Sequence, residues 1–149
     1  MGNDRADSAG PRRVEAAQTA PLILVAEDNE DNRMIAVTIL RHFGYRAIEA
    51  TTGTDALRLA RSEHPALILM DVGMPDVDGW MATRTLKSEE NTASIIILAF
   101  TAHTMPSDRQ CALEAGCDGF VAKPIEPVLL VREVERALGD RSLRAVTAL

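Results

Sequence analysis

With 149 residues and 46% apolar content, the chain can bury one sizeable core and is too hydrophobic to be disordered throughout. Its net charge of -6 excludes indiscriminate binding to nucleic acid, whose phosphates require a basic surface. The longest apolar run, Ile95 to Phe100, is far too short to cross a bilayer, and Met1 to Thr19 lacks the apolar segment of a secretory signal. Cys111 and Cys117 have no Cys/His partners for a zinc site, so they read as small apolar fillers and the cytoplasm is the expected setting.

Residues 1 to 20 mix Gly, Asp, Arg, Ala and Pro without a hydrophobic period and are expected to form a disordered arm. Leu22 to Ala26 (LILVA) reads as a strand buried on both faces, with Glu27-Asp28-Asn29 at its end. From Glu30 to Phe43 the spacing of Met34, Val37, Leu40 and Phe43 predicts a helix, stopped by Gly44. Arg46 to Ala50 is a short second strand. Thr54 to Glu63 is a second helix, with Ala56, Leu57 and Ala60 on one side and Pro65 closing it.

Leu67 to Met70 is the third strand, and Asp71 follows where the chain leaves the sheet. Gly73, Pro75 and Asp78-Gly79 mark the loop beyond it, before a short helix from Trp80 to Lys87. Ile95 to Phe100 is the most apolar strand and runs into Thr101-Ala102-His103. Ser107 to Ala115 is a helix capped by Gly116. Phe120 to Ala122 is the fifth strand, followed by Lys123-Pro124. The last helix starts near Pro127, directs Val128, Val131, Val134 and Leu138 inward, and leaves residues 139 to 149 as a fraying tail. The folded unit is therefore expected over residues 21 to 138.

Five alternations of strand and helix predict an α/β fold, a parallel sheet with helices on both faces. Right-handed crossovers leave the flavodoxin-like, doubly wound order 2-1-3-4-5 as the simplest topology. In such sheets ligands gather at the carboxyl ends of the strands. Those ends carry Glu27-Asp28, Asp71, Thr101 and Lys123. With the first and third strands adjacent, three carboxylates converge, which raises their pKa values and costs stability unless a positive group joins them. Oxygen donors alone favour Mg²⁺, and no loop supplies the six or more protein oxygens that Ca²⁺ prefers.

The loop after the first strand, EDNEDN, is neither a G-x-G-x-x-G dinucleotide motif nor a P-loop, so a phosphate reaches this site only with a cation. Lys123 offers charge and Thr101 a hydroxyl. A carboxylate nucleophile, a cation and a lysine together suit phosphoryl transfer onto aspartate. Lys87 and Lys123 are the only lysines among 16 basic residues, the others being arginine. A compact ammonium at position 123 is thus a specific choice.

VAEDNEDNR, LILMDVGMPDVDG, AFTA and FVAKP stand in order at four strand ends, and with them the chain from Pro21 to Leu138 resembles the receiver domains of two-component response regulators. The resemblance implies that Asp71 is the phosphoacceptor, that Asp28 binds Mg²⁺ directly and Glu27 through water, and that the carbonyl of Gly73 completes the protein ligands. It implies that Thr101 bonds the phosphoryl group, that Phe120 is the aromatic switch, and that Lys123, before a cis proline, pairs with a phosphoryl oxygen. Glu27 in place of the commoner aspartate, the absence of a side chain at Gly73, and Phe120 in place of tyrosine depart modestly from the family pattern.

The expected function is that of a single-domain switch rather than an enzyme, one that assists its own Mg²⁺-dependent phosphorylation and dephosphorylation. Its expected phosphodonor is a histidine kinase or histidine phosphotransfer protein. A downstream partner is expected at the fourth helix, fifth strand and fifth helix, with no direct nucleic-acid or membrane contact, and the protein as a monomer or weak dimer. The alternatives are an interaction module that works without phosphorylation, a receiver cut from a hybrid histidine kinase, and an aspartyl-intermediate phosphatase. The last wants a second acid where Gly73 stands. His103 is at most a modulator of water access, and His42 and His64 are expected as surface or boundary residues.

Overall fold

Parallel pairing of five short apolar runs organises the chain. The computed structural model describes residues 20–102 and 105–148, with side chains to Gly139. The expected N-terminal arm and His103 lie outside the described residues, apart from Ala20. The elements are β1 (Leu22–Ala26), α1 (Glu30–His42), β2 (Arg46–Ala50), α2 (Gly53–Glu63), β3 (Leu67–Asp71), α3 (Gly79–Ser88), β4 (Ile96–Thr101), α4 (Pro106–Ala115), β5 (Gly119–Ala122) and α5 (Pro127–Ala148). The strand order is β2-β1-β3-β4-β5, all parallel, as the alternation predicts.

Strand side chains alternate between faces, so an unbroken apolar run fills two cores at once. Ile23, Val25, Leu67, Leu69, Leu98 and Phe100 meet α1 and α5 on one face. Leu24, Ala26, Ile68, Met70, Ile97 and Ala99 meet α2, α3 and α4 on the other. Burial of this order, at about 25 cal/mol per Å² of apolar surface, is what offsets the entropy of ordering the chain. Both layers hold every strand at the same height, which brings all the carboxyl ends to one edge.

Helix rotation corrects part of the expected core. Met34 and Val128 are exposed, while Ala36, Val37 and Leu40 in α1 and Leu130, Val131, Val134 and Ala137 in α5 are buried. At about 100° per residue, positions six apart differ by about 120°, so residues 34 and 40, or 128 and 134, cannot share one inward stripe. Phe43 is the C-cap of α1 and also stays outside, edge-on to His42. Cys117 is buried as expected, but Cys111 is exposed, because it falls on the outer side of α4. The last helix does not stop at Leu138: α5 runs through Gly139 to Ala148, over most of the stretch expected as a tail. That stretch contains no proline, and a helical glycine costs only about 1 kcal/mol. Gly44 and Gly116 take the left-handed conformation expected of helix ends, with φ of 94° and 101°.

Candidate functional site

β1 delivers Glu27 and Asp28 with the backbone already constrained. The N–H of Glu27 donates to the carbonyl of Ala50 at 3.0 Å, carrying the β1–β2 ladder past the end of the strand. The Asn29 side chain caps α1 by accepting from the Asn32 N–H at 2.9 Å, and the Asn29 N–H donates to Glu27 Oε2 at 3.0 Å. Glu27 is fully buried and Asp28 is exposed, so the two neighbours meet different dielectrics.

Asp71 ends β3 beside Phe100 and is 5% exposed. Its loop is packed by glycines. A Cβ on Gly79 would lie 2.3 Å from the Asp71 carbonyl oxygen, and one on Gly53 would lie 2.1 Å from the carbonyl oxygen of Val77. Neither place admits a side chain. Asp76 fastens the same loop to the start of α2, accepting from the N–H groups of Gly53 at 2.7 Å and Thr54 at 3.0 Å. Asp78 then caps α3. The Gly73 N–H donates to Asp71 Oδ1 at 3.2 Å, and a Cβ on Gly73 would meet only that oxygen, at 3.9 Å. The approach to the carboxylate on this side is therefore open.

Lys123 reaches the carboxylates from β5. Its Nζ lies 2.5 Å from Glu27 Oε1 and 3.2 Å from Asp71 Oδ1, and 4.7 Å from the centre of the buried Phe100 ring. The Lys123 N–H donates to the Thr101 carbonyl at 2.9 Å, and the Lys123–Pro124 peptide is cis. The positive group that three converging carboxylates require is thus present within the chain itself. Lys87, the other lysine, is also a point contact: its Nζ donates to Asp118 Oδ2 at 2.9 Å and to the Ile95 carbonyl at 2.7 Å.

Burial pushes the Glu27 carboxyl up to about 7, against the pull of Lys123 and the Asn29 N–H, and the nearby Asp71 charge raises it further. Asp71 stays below the usual carboxylate range. Burial works against its ionisation, but hydrogen bonding with Glu27, the Gly73 N–H and the Lys123 charge outweigh it. Of the buried pair, Asp71 is therefore the one that favours its anionic form.

The residues fit a hard divalent cation. Carboxylate oxygens of Glu27, Asp28 and Asp71 all lie within 4.8 Å of one another. Glu27 Oε1, although 2.5 Å from the ammonium, accepts no hydrogen bond of regular geometry, which leaves a buried oxygen short of a partner. All-oxygen donors of this kind match Mg²⁺.

The structure thus joins Glu27, Asp28, Asp71, Gly73 and Lys123 directly. Thr101 is 1% exposed at the end of β4, level with Ala122, and belongs to the same edge. Phe120 does not reach the carboxylates. It is half-buried beside Ala99, packs toward α4, and has the Arg109 guanidinium 5.3 Å from its ring centre. Sequence reasoning missed Phe100 beneath Lys123, Asp76 on α2, and the packing role of Gly53 and Gly79. The parallel register that sets Phe100 beside Asp71 was the one available signal for the first of these.

A family model described as the response regulator receiver domain matches residues 23–135. The polar-differentiation response regulator DivK of Brucella ovis is 36% identical over 118 residues, spanning 79% of this chain and 96% of its own. The receiver domain of the sensor histidine kinase PA1611 from Pseudomonas aeruginosa, solved with magnesium coordinated in its active-site cleft, is 36% identical. It covers 81% of this chain and 99% of its own, with a TM-score of 0.76. The chemotaxis protein CheY4 of Vibrio cholerae superposes with a TM-score of 0.76 at 25% identity, covering 80% and 99% of the two chains.

Proposed function

The chain belongs to the response regulator receiver domains of two-component signalling, which take phosphoryl groups from histidine kinases or phosphotransfer proteins, and from that premise we propose that Asp71 is its phosphoacceptor. What carries this reading is an ionised, nearly buried carboxylate at a strand end, 3.2 Å from an ammonium and within 4.8 Å of two further acids. Attack by an Asp71 oxygen forms the O–P bond while the P–N bond of a phosphohistidine breaks. The electron pair of that bond returns to the imidazole nitrogen, which takes up a proton from solvent.

Glu27, Asp28, Asp71 and the Gly73 carbonyl would hold Mg²⁺, which supplies neutralisation of the charge gathered on the transferring oxygens. Lys123 is shared between Glu27 and Asp71 before transfer, so the new phosphoryl oxygens compete for an ammonium already in place. Thr101 supplies a hydroxyl at the same edge. Its movement toward the phosphoryl group opens space for Phe120 to turn, giving the two states a difference in contacts.

The readout surface is α4–β5–α5, where Leu113, Val128 and Leu129 are exposed and hollows of about 370 and 380 Å³ flank Phe120. A protein partner there, reached in the cytoplasm, is the output. Among the described residues no helix is long and apolar enough to cross a membrane.

Incubation with acetyl phosphate and Mg²⁺, followed by intact mass, tests the assignment. Wild type gains about 80 Da as one phosphoryl group, and Asp71→Asn, nearly isosteric, folds and gains nothing. A full-yield adduct on Asp71→Asn refutes it, and a wild type that never gains mass favours an interaction module that works without phosphorylation.

A further inference from the structure

Arg33 lies in the first turns of α1, and its side chain is only 15% exposed. The guanidinium folds back over the end of β1 instead of extending into water. Nη1 donates to the Glu27 carbonyl at 3.0 Å and stands 3.5 Å from the Asp28 carbonyl, while Nε donates to Glu49 Oε1 at 3.0 Å. Glu49 belongs to β2, so one side chain ties α1 and the β1–α1 loop to the neighbouring strand. On the other side the Glu27 N–H is held by Ala50. The main chain bearing both acids is therefore fixed from two directions.

We propose that Arg33 is a positioning residue that holds the Glu27–Asp28 backbone so that their carboxylates converge with Asp71, and thereby raises the affinity of the site for Mg²⁺. This rests on the metal-binding reading above. A planar guanidinium fork suits this role, because it directs donors at once to loop carbonyls and to a carboxylate on another element. The Asp28 and Asp71 charges, gathered with the Glu27 carboxyl within 4.8 Å, repel one another and would spread if the backbone were loose.

Simple electrostatics makes the opposite prediction. A guanidinium near a cation site repels the cation, so an Arg33 that acted only as a charge would weaken Mg²⁺ binding, and its removal would tighten it. The sign of the change decides between the two accounts.

Calorimetric titration of the full chain with Mg²⁺ measures it, beside the rate of phosphorylation by acetyl phosphate as Mg²⁺ is varied. Arg33→Ala is expected to weaken Mg²⁺ binding about tenfold and to raise the half-saturating Mg²⁺ equally, with the plateau rate kept. Arg33→Lys keeps the charge but not the fork, and is expected to be no better. Should Arg33→Ala fail to fold, Arg33→Lys decides by the same readings. Equal or tighter binding by the variant, or a lower plateau rate at unchanged half-saturation, overturns the proposal. A wild type that takes up no Mg²⁺ overturns the metal reading and this inference together. A wild type that binds while the variant matches it overturns this inference alone.

Discussion

Glu27→Gln, studied without metal, isolates the cost of burying the second carboxylate. In the folded protein Glu27 titrates near 7 against an ordinary value of 4.5, because burial disfavours its charged form. The folded state therefore binds more protons than the unfolded chain between these values, and stability falls as pH rises through that window. The Asp71 shift has the opposite sign but acts below 3.8, outside the window. A rise of this size, at about 1.4 kcal/mol per unit, corresponds to about 3 kcal/mol of stability present below about pH 4.5 and lost above about pH 7.

Glutamine has no charge to bury, so the variant escapes the loss. It forfeits the Lys123–Glu27 contact, but Asp71 still holds the ammonium at 3.2 Å. The expected net effect in EDTA is a variant about 1–3 kcal/mol more stable than wild type at about pH 8, and no more stable at about pH 5. Urea melts of both proteins at the two pH values measure it. Asp28→Asn, which removes an exposed charge, should change the metal-free stability by much less. If the gap between wild type and Glu27→Gln is the same at both pH values, Glu27 is not a carboxyl held protonated by burial and the electrostatic account of the site is wrong.

Lys123→Arg should fold yet lose most phosphorylation-dependent partner binding, because a bulkier planar fork cannot stand where Nζ touches two carboxylates above the Phe100 ring; equal partner capture by variant and wild type would contradict this. Gly79→Ala should cost about 3 kcal/mol in a urea melt and slow phosphorylation, since its Cβ must push the Asp71 carbonyl away from 2.3 Å; near-wild-type values for both would show the approach to be soft. Asp76 is held well below the usual carboxylate range first by Thr54 and then by neighbouring N–H groups, so its contribution is present above about pH 4 and lost as pH falls. Asp76→Ala should therefore melt lower at neutral pH and lose less on acidification than wild type, a comparison made by melts at the two pH values.

The strands, their order and the edge where the chemistry sits were legible in the residues alone. LILVA, LILMD and IILAFT suit strands buried on both faces, their alternation with helices points to a parallel sheet, and a parallel sheet brings Asp28, Asp71, Thr101 and Lys123 to one side. What the residues could not show is which partner each charged group chooses. Lys123 and Asp71 are 52 residues apart, and sequence spacing says nothing about whether the ammonium waits in solvent or enters among the acids. Packing over Phe100 and the depth of Glu27 decide that it enters. Nothing in the spacing of Arg33 indicates its partners; only the return of β2 sets Glu49 and two loop carbonyls within its reach. Met34 and Val128 show the same limit: apolar spacing announces a helix, but only the surface it lands on selects which stripe is buried. Period and composition are local properties, and they determined the fold and the strand ends. Depth, rotamer and partner depend on elements far apart in the chain, and only their packing together decided them.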